Sequence, residues 1–255
     1  MERMLLATGA LSDQATITGP TGAGDLVLGN LKRQSLQEVY RVLGDAAELN
    51  IDLGAAQLVN VVAIMGHSGL SGSTARVTAS NTPGGADYDS GAVPFITGTK
   101  HFDKSLFFLF FQPVSYRYWR IEISNPGAAY LDLGRLYIAK AFQPSFNMVY
   151  GFQHGFTDGS QEFETSSGDS ISLKRKKRRF ADLMLEDLSE DEVFAELYPL
   201  DQLVGATGDV LLVPKPDDTH LQFSAIYGKI EAMQPNVNTS FNRFTRQFRV
   251  RELLP

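Results

Sequence analysis

Three phrases of this chain, LNIDLG at 49–54, RYWRIEIS at 117–124 and YLDLGRLYIA at 130–139, alternate apolar and polar residues with a period of two. Leu49, Ile51 and Leu53 share one side of the first, and Trp119, Ile121 and Ile123 one side of the second. That pattern belongs to half-buried β-strands and is incompatible with a helix. In the third phrase Leu131 and Leu133 share a face, Gly134 intervenes, and Leu136 and Ile138 resume one step out of phase. A glycine at such a slip predicts a β-bulge or a corner where the chain changes sheet.

Further strands are expected at VNVVAIMG (59–66) and TARVTAS (74–80), separated by the loop HSGLSGS. NTPGGADYDSGAVP (81–94) is dense in turn formers and reads as a long loop. LFFLFF (106–111) is apolar on both faces, so both faces need cover. A second domain or a neighbouring subunit would have to supply it, which is an argument for an oligomer. The expected organisation is all-β: an N-terminal arm or first strand over 1–30, a β-sandwich over 31–146, and a smaller, mainly-β domain over 147–255. The latter carries one short helix near 190–198, with a capping box from Ser189 to Glu192 and a stop at Pro199. Strands are expected there at 209–216, 223–233 and 244–253.

Among 255 residues there is no cysteine, which excludes disulfides, thiol catalysis and thiolate zinc sites. A net charge of -6 gives no general attraction to nucleic acid. No apolar run approaches the ~20 residues that cross a bilayer, so no membrane insertion is expected. The opening MERMLLATGALSDQ does not read as a secretory signal, and cytoplasmic synthesis is the expectation.

Catalytic and metal signatures are not found. His67, His101, His154 and His220 are scattered and fall in no ligand motif. GPTGAGD (19–25) lacks the Lys-Ser/Thr of a phosphate loop. Asp52 and Asp132 sit in similar phrases and are expected to face outward, accepting loop or backbone hydrogen bonds. No cofactor, no metal and no enzymatic activity are therefore expected. A glycoside-hydrolysing carboxylate pair is the enzyme alternative, with nothing to single out its members.

Charge in the second half is blocked. Lys174, Arg175, Lys176, Lys177, Arg178 and Arg179 run consecutively, followed by acids from Glu186 to Glu196. In FNRFTRQFRVREL, Arg243, Arg249 and Arg251 share one strand face and Phe244, Phe248 and Val250 the other. Neutralisation by acids, within the chain or across a subunit boundary, explains the consecutive cations better than polyanion binding or a nuclear address, and Arg243, Arg249 and Arg251 read as the basic outer side of a normal amphipathic strand. They are the candidate assembly residues, and charge reversal across 174–179 is expected to block assembly without unfolding the monomer. His67, Tyr88 and His101, in loops 66–73 and 81–104, are the candidate glycan contacts.

The three opening phrases, with VNVVAIMGHSG between them, resemble discoidin-like (galactose-binding-like, F5/8 type C) jelly-roll domains over about 40–142. Taken whole, the order IDLG, VAIMGHSG, YRYWRIEISNP, YLDLGRLYIAKAFQPSFNMVYGF, KRRFADLMLEDLSEDEVFAEL, DVLLVPKPDD, IYGKIEAM and RQFRVREL resembles tail-tip or baseplate proteins of long-tailed bacteriophages, of distal-tail or minor-tail type. That resemblance implies a virion-tail part made in the host cytoplasm, a homo-oligomer such as a trimer or hexamer that contacts neighbouring tail proteins. A carbohydrate-binding module that attaches to a host surface glycan is the alternative.

Overall fold

The computed structural model describes residues 3–95, 100–205, 207–231 and 234–255. Residues 96–99 of the loop expected over 81–104, residues 232–233 of the strand expected over 223–233, and Met1 and Glu2 of the arm lie outside them. The chain is all-β and its sheets are antiparallel.

In chain order the strands are β1 (Leu5–Thr8), β2 (Thr16–Thr18), β3 (Tyr40–Leu43), β4 (Ala46–Met65), β5 (Thr74–Ser80), β6 (Tyr88–Asp89), β7 (Val93–Pro94), β8 (Ser105–Ser124), β9 (Tyr130–Leu133) and β10 (Arg135–Ala139). They continue with β11 (Ala141–Phe142), β12 (Gln153–Thr157), β13 (Gln161–Glu164), β14 (Ser170–Leu173), β15 (Arg178–Ser189), β16 (Val210–Val213), β17 (Ile226–Ile230), β18 (Val237–Ser240) and β19 (Arg243–Glu252). One sheet runs β10-β4-β8-β5-β6 with β2 and β7 attached, and faces the pair β3-β9. A second runs β11-β1-β16-β17-β19-β15-β12 with β18 attached.

The phrases expected as separate strands join into longer ones. LNIDLG and VNVVAIMG are the two halves of β4, and LFFLFF and RYWRIEIS the two halves of β8. The two strands pair along their length, with a register shift between Asp52 and Gln57. Gly54 at that bend takes φ of +80°, and Asp52 accepts its N–H at 2.8 Å. Gly134 is a sheet corner: β9 before it pairs with β3, and β10 after it pairs with β4. A Cβ at Gly134 would lie 2.8 Å from the Met65 carbonyl oxygen, so only glycine fits there.

Cover for the two-faced strands comes from the chain itself. Leu106, Phe108 and Phe110 point into the sandwich core with Trp119, Ile121, Leu131 and Leu133. Phe107 and Leu109 point the other way, against a layer of Leu5, Val61, Ala63, Tyr137, Leu211, Val213 and Tyr227. That layer lies between the two large sheets, and the N-terminal strand β1, inserted between β11 and β16, supplies part of it. LFFLFF therefore needs no neighbouring subunit to cover it, contrary to the expectation from sequence. Only Phe111, at the bend, stays half exposed.

The helix begins where the capping box places it. Ser189 donates its N–H to the Glu192 carboxylate at 2.8 Å, and the Glu192 N–H returns to the Ser189 hydroxyl at 3.3 Å. Pro199 does not stop it. A π-helical turn, Glu192–Leu197, runs into α1 (Tyr198–Val204), which ends at Gly205. Pro199 is the second residue of α1, directly after the π-helical turn.

The apolar layer is pinned by a buried cation. Arg135, the first residue of β10, is fully buried, donates to Asp209 at 2.8 Å and pairs with both oxygens of Asp13. Tyr227 donates its hydroxyl to the same Asp209 carboxylate at 2.6 Å. Replacing Arg135 by Met should leave two carboxylates facing each other without their cation. Urea denaturation should then show a loss of ~3–5 kcal/mol, the range for one partner removed from a buried pair.

Candidate functional site

The end of the sandwich where β4 finishes and β8 begins is open. Loop 66–68 is tied down there: the Gly66 N–H donates to the Lys104 carbonyl at 2.8 Å, and the Asp132 N–H to the Ser68 hydroxyl at 2.8 Å. Between this loop, the short 3-10 turn His101–Asp103 and the segment 36–39 lies a groove of about 560 Å³. Its walls include Gln37, Ser68, Lys100, His101, Lys104, Asp132 and Lys176.

The groove is cationic. Lys100 and Lys104 are exposed and form no ion pair among the described residues, while Lys176 donates to the Pro255 oxygen at 2.9 Å. Asp132, the one side-chain carboxylate among the described wall residues, is held in both oxygens by Arg41 at 2.7 and 2.8 Å, and Arg41 in turn covers the Tyr130 ring. Among the described residues no Trp, Tyr or Phe lines the groove, so they would hold a ligand by charge and hydrogen bonds instead of ring stacking.

The residues expected to contact a glycan behave differently from one another. His101 lies at the groove with its Nε2 donating to Glu252 at 2.9 Å. His67 reaches the groove wall, but its side chain is 1% exposed and packs on Phe95. Its Nδ1 accepts the Gly69 N–H at 3.2 Å, and its Nε2 has no partner among the described residues. Burial, aided by the nearby Lys104 charge, lowers its pKa to about 4. Tyr88 is elsewhere, at the sheet edge with its ring against Phe110.

The expected assembly cations are largely neutralised in cis. Arg179 leaves the surface altogether. It pairs with buried Glu252 at 2.6 Å, donates to the Gln222 carbonyl at 2.8 Å and lies over Phe102. Arg249 pairs with Glu231 at 2.7 Å, Arg251 with Glu231 at 3.4 Å and Arg243 with Asp187 at 3.4 Å. Lys177 pairs with Asp158 at 3.4 Å. Lys174, Arg175 and Arg178 remain exposed, with no ion pair among the described residues. Asp52 faces outward as expected and also pairs with Arg117 at 2.7 Å.

Two buried cations escaped the sequence reading, Arg135 and Arg246. The latter pairs with Asp201 at 2.5 Å. The signal for Arg246 was its register: it falls on the Phe248–Val250 face of β19, not on the basic one.

No model of a known protein family matches the chain, and no curated protein does. Solved structures do match part of it. A Ruminococcus gnavus GH29 fucosidase in complex with fucose is 14% identical, with a TM-score of 0.45, over 52% of this chain and 27% of its own. The family 32 carbohydrate-binding module of C. perfringens NanJ, in complex with galactose, is 14% identical, with a TM-score of 0.42, over 52% of this chain and 99% of the module. The lectin domain of lectinolysin, complexed with Lewis B antigen, is 16% identical, with a TM-score of 0.43, over 53% of this chain and 99% of that domain. Each likeness is thus confined to about half of the chain.

His67 supplies a pH signature. The unfolded chain takes up its proton near the ordinary 6.5, the folded chain only near 4. Unfolding free energy should therefore fall as pH drops from 6.5 to 4, by up to ~3 kcal/mol. Urea denaturation at several pH values should show this slope, and His67→Asn should flatten it.

Proposed function

We propose that the chain is a non-enzymatic adhesive protein that binds an acidic surface glycan in the groove at the end of its β-sandwich. The observation that carries this is the convergence of Lys100, Lys104 and Lys176 beside a carboxylate already fixed by Arg41. Ammonium groups suit the carboxylates of acidic sugars, and Gln37, Ser68 and Asp132 suit their hydroxyls. The matched carbohydrate-binding and lectin modules make glycans the natural class to test. Binding should be weak and salt-sensitive, because the groove is open and its described residues offer charge and hydrogen bonds without a stacking ring. A glycan array with the full chain should show uronate- or sialate-containing ligands ahead of neutral ones. Lys100→Glu with Lys104→Glu should lower that binding about tenfold or more. A preference for neutral sugars, or binding unmoved by the double variant, would refute the assignment.

A second reading places the protein in an assembled particle, a homo-oligomeric part of a long-tailed bacteriophage tail tip that joins neighbouring tail proteins. It is favoured by a separate observation: the hairpin β13–β14 stands off both large sheets, with Phe163, Ile171 and Leu173 half exposed. The two readings are compatible, since an outward-facing adhesive sandwich and an assembling second half occupy different surfaces. Mass measurement of the purified chain across concentration separates an assembling protein from a monomer.

A further inference from the structure

Two features at opposite ends of β15 complement one another. The first is the β13–β14 hairpin, which enters β15 at Arg178. Its register sets Phe163 opposite Ile171 and Gln161 opposite Leu173, so Phe163, Ile171 and Leu173 form one apolar face. Every residue of both strands is exposed. A lone two-stranded hairpin gains little stability from itself, so an uncovered apolar face there is unusual. At its base stand the exposed cations Lys174, Arg175 and Arg178.

The second feature lies where β15 ends. A groove of about 520 Å³ is floored by buried Val193 and walled by Phe194, Tyr198, Phe244 and Pro235. Phe194 and Tyr198 are each about half exposed, at 53% and 52%. Glu186, Glu190 and Asp191 border it in sequence, exposed and without ion pairs among the described residues. β15 has 12 residues, so the hairpin base and the groove are roughly 35 Å apart along one strand. The hairpin of one chain therefore cannot fill its own groove, while a second copy can.

Building on the assembly reading, we propose that copies of this chain join head to tail, the apolar face of one hairpin seated in the Phe194–Tyr198–Phe244 groove of the next. Lys174, Arg175 and Arg178 of the first copy face Glu186, Glu190 and Asp191 of the second. The contact is heterologous: each copy offers one hairpin and one groove, so the chains close into a ring or extend as a filament. Apolar contact supplies affinity, and the opposed charges fix register and make association salt-sensitive. The basic run thus takes part only through its three unpaired members, since Lys176, Lys177 and Arg179 are engaged in cis.

Sedimentation of the full chain and of two double variants tests this. Phe163→Ser with Ile171→Ser removes the hairpin face, and Phe194→Ser with Tyr198→Ser removes the groove. Each should stay monomeric with an unchanged circular dichroism spectrum, whereas an equimolar mixture should form dimers through the one intact pairing and go no further. Reversing Lys174, Arg175 and Arg178 to Glu should weaken association about tenfold or more. Reversing Glu186, Glu190 and Asp191 to Lys in the same chain should restore it, and this arm survives any folding defect in the serine variants. A wild-type chain that is monomeric at every concentration would overturn both the assembly reading and this interface. Oligomers that survive the hairpin or the groove variant would overturn the interface alone.

Discussion

The structure depends on one constraint: the strands at its centre are apolar on both faces and must be covered twice. The second half of β4, the first half of β8 and β10 send alternate residues into the sandwich core and into the layer between the large sheets. Parting the sheets would expose Leu5, Val61, Met65, Tyr137, Leu211, Val213 and Tyr227. At ~1.5–3 kcal/mol for each large side chain, that is on the order of 10–20 kcal/mol. This exceeds most or all of the ~5–15 kcal/mol by which a typical domain is stable. The sandwich and the second sheet therefore behave as one unit.

Two polar pins set how that layer is aligned. Arg135 ties β10 to Asp13 and Asp209, and Arg179 with Glu252 ties the second sheet to His101 at the start of β8. Apolar contact is non-directional and would tolerate sliding, whereas a guanidinium held by a carboxylate has one geometry. The second pin bears on function as well, because His101 stands at the groove wall. The cationic groove is thus built partly from the junction of the two halves, not from the sandwich loops alone.

Much of the fold was legible in the sequence because period-2 alternation and the Gly134 slip are local signals. The capping box at Ser189 and Glu192 was legible for the same reason. What sequence could not show was pairing across distance. It did not indicate that β1 lies between β11 and β16, or that LFFLFF finds its cover in cis. At the site, His101 and Lys176 were singled out for separate roles, yet the fold brings both to one groove. His67, with an apolar neighbourhood made by distant Phe95, was expected in a surface loop and is buried. In the basic run only Arg179 goes inward, because its partner Glu252 lies on the buried face of β19.

Native-state hydrogen exchange across the chain tests most directly whether the two sheets form one body. If they do, amides of β1, β4, β8, β16 and β17 open with the same free energy, equal to that of global unfolding. Exchange of β1, β16 and β17 at a clearly lower free energy, with β4 and β8 still protected, would show two separable bodies instead of one.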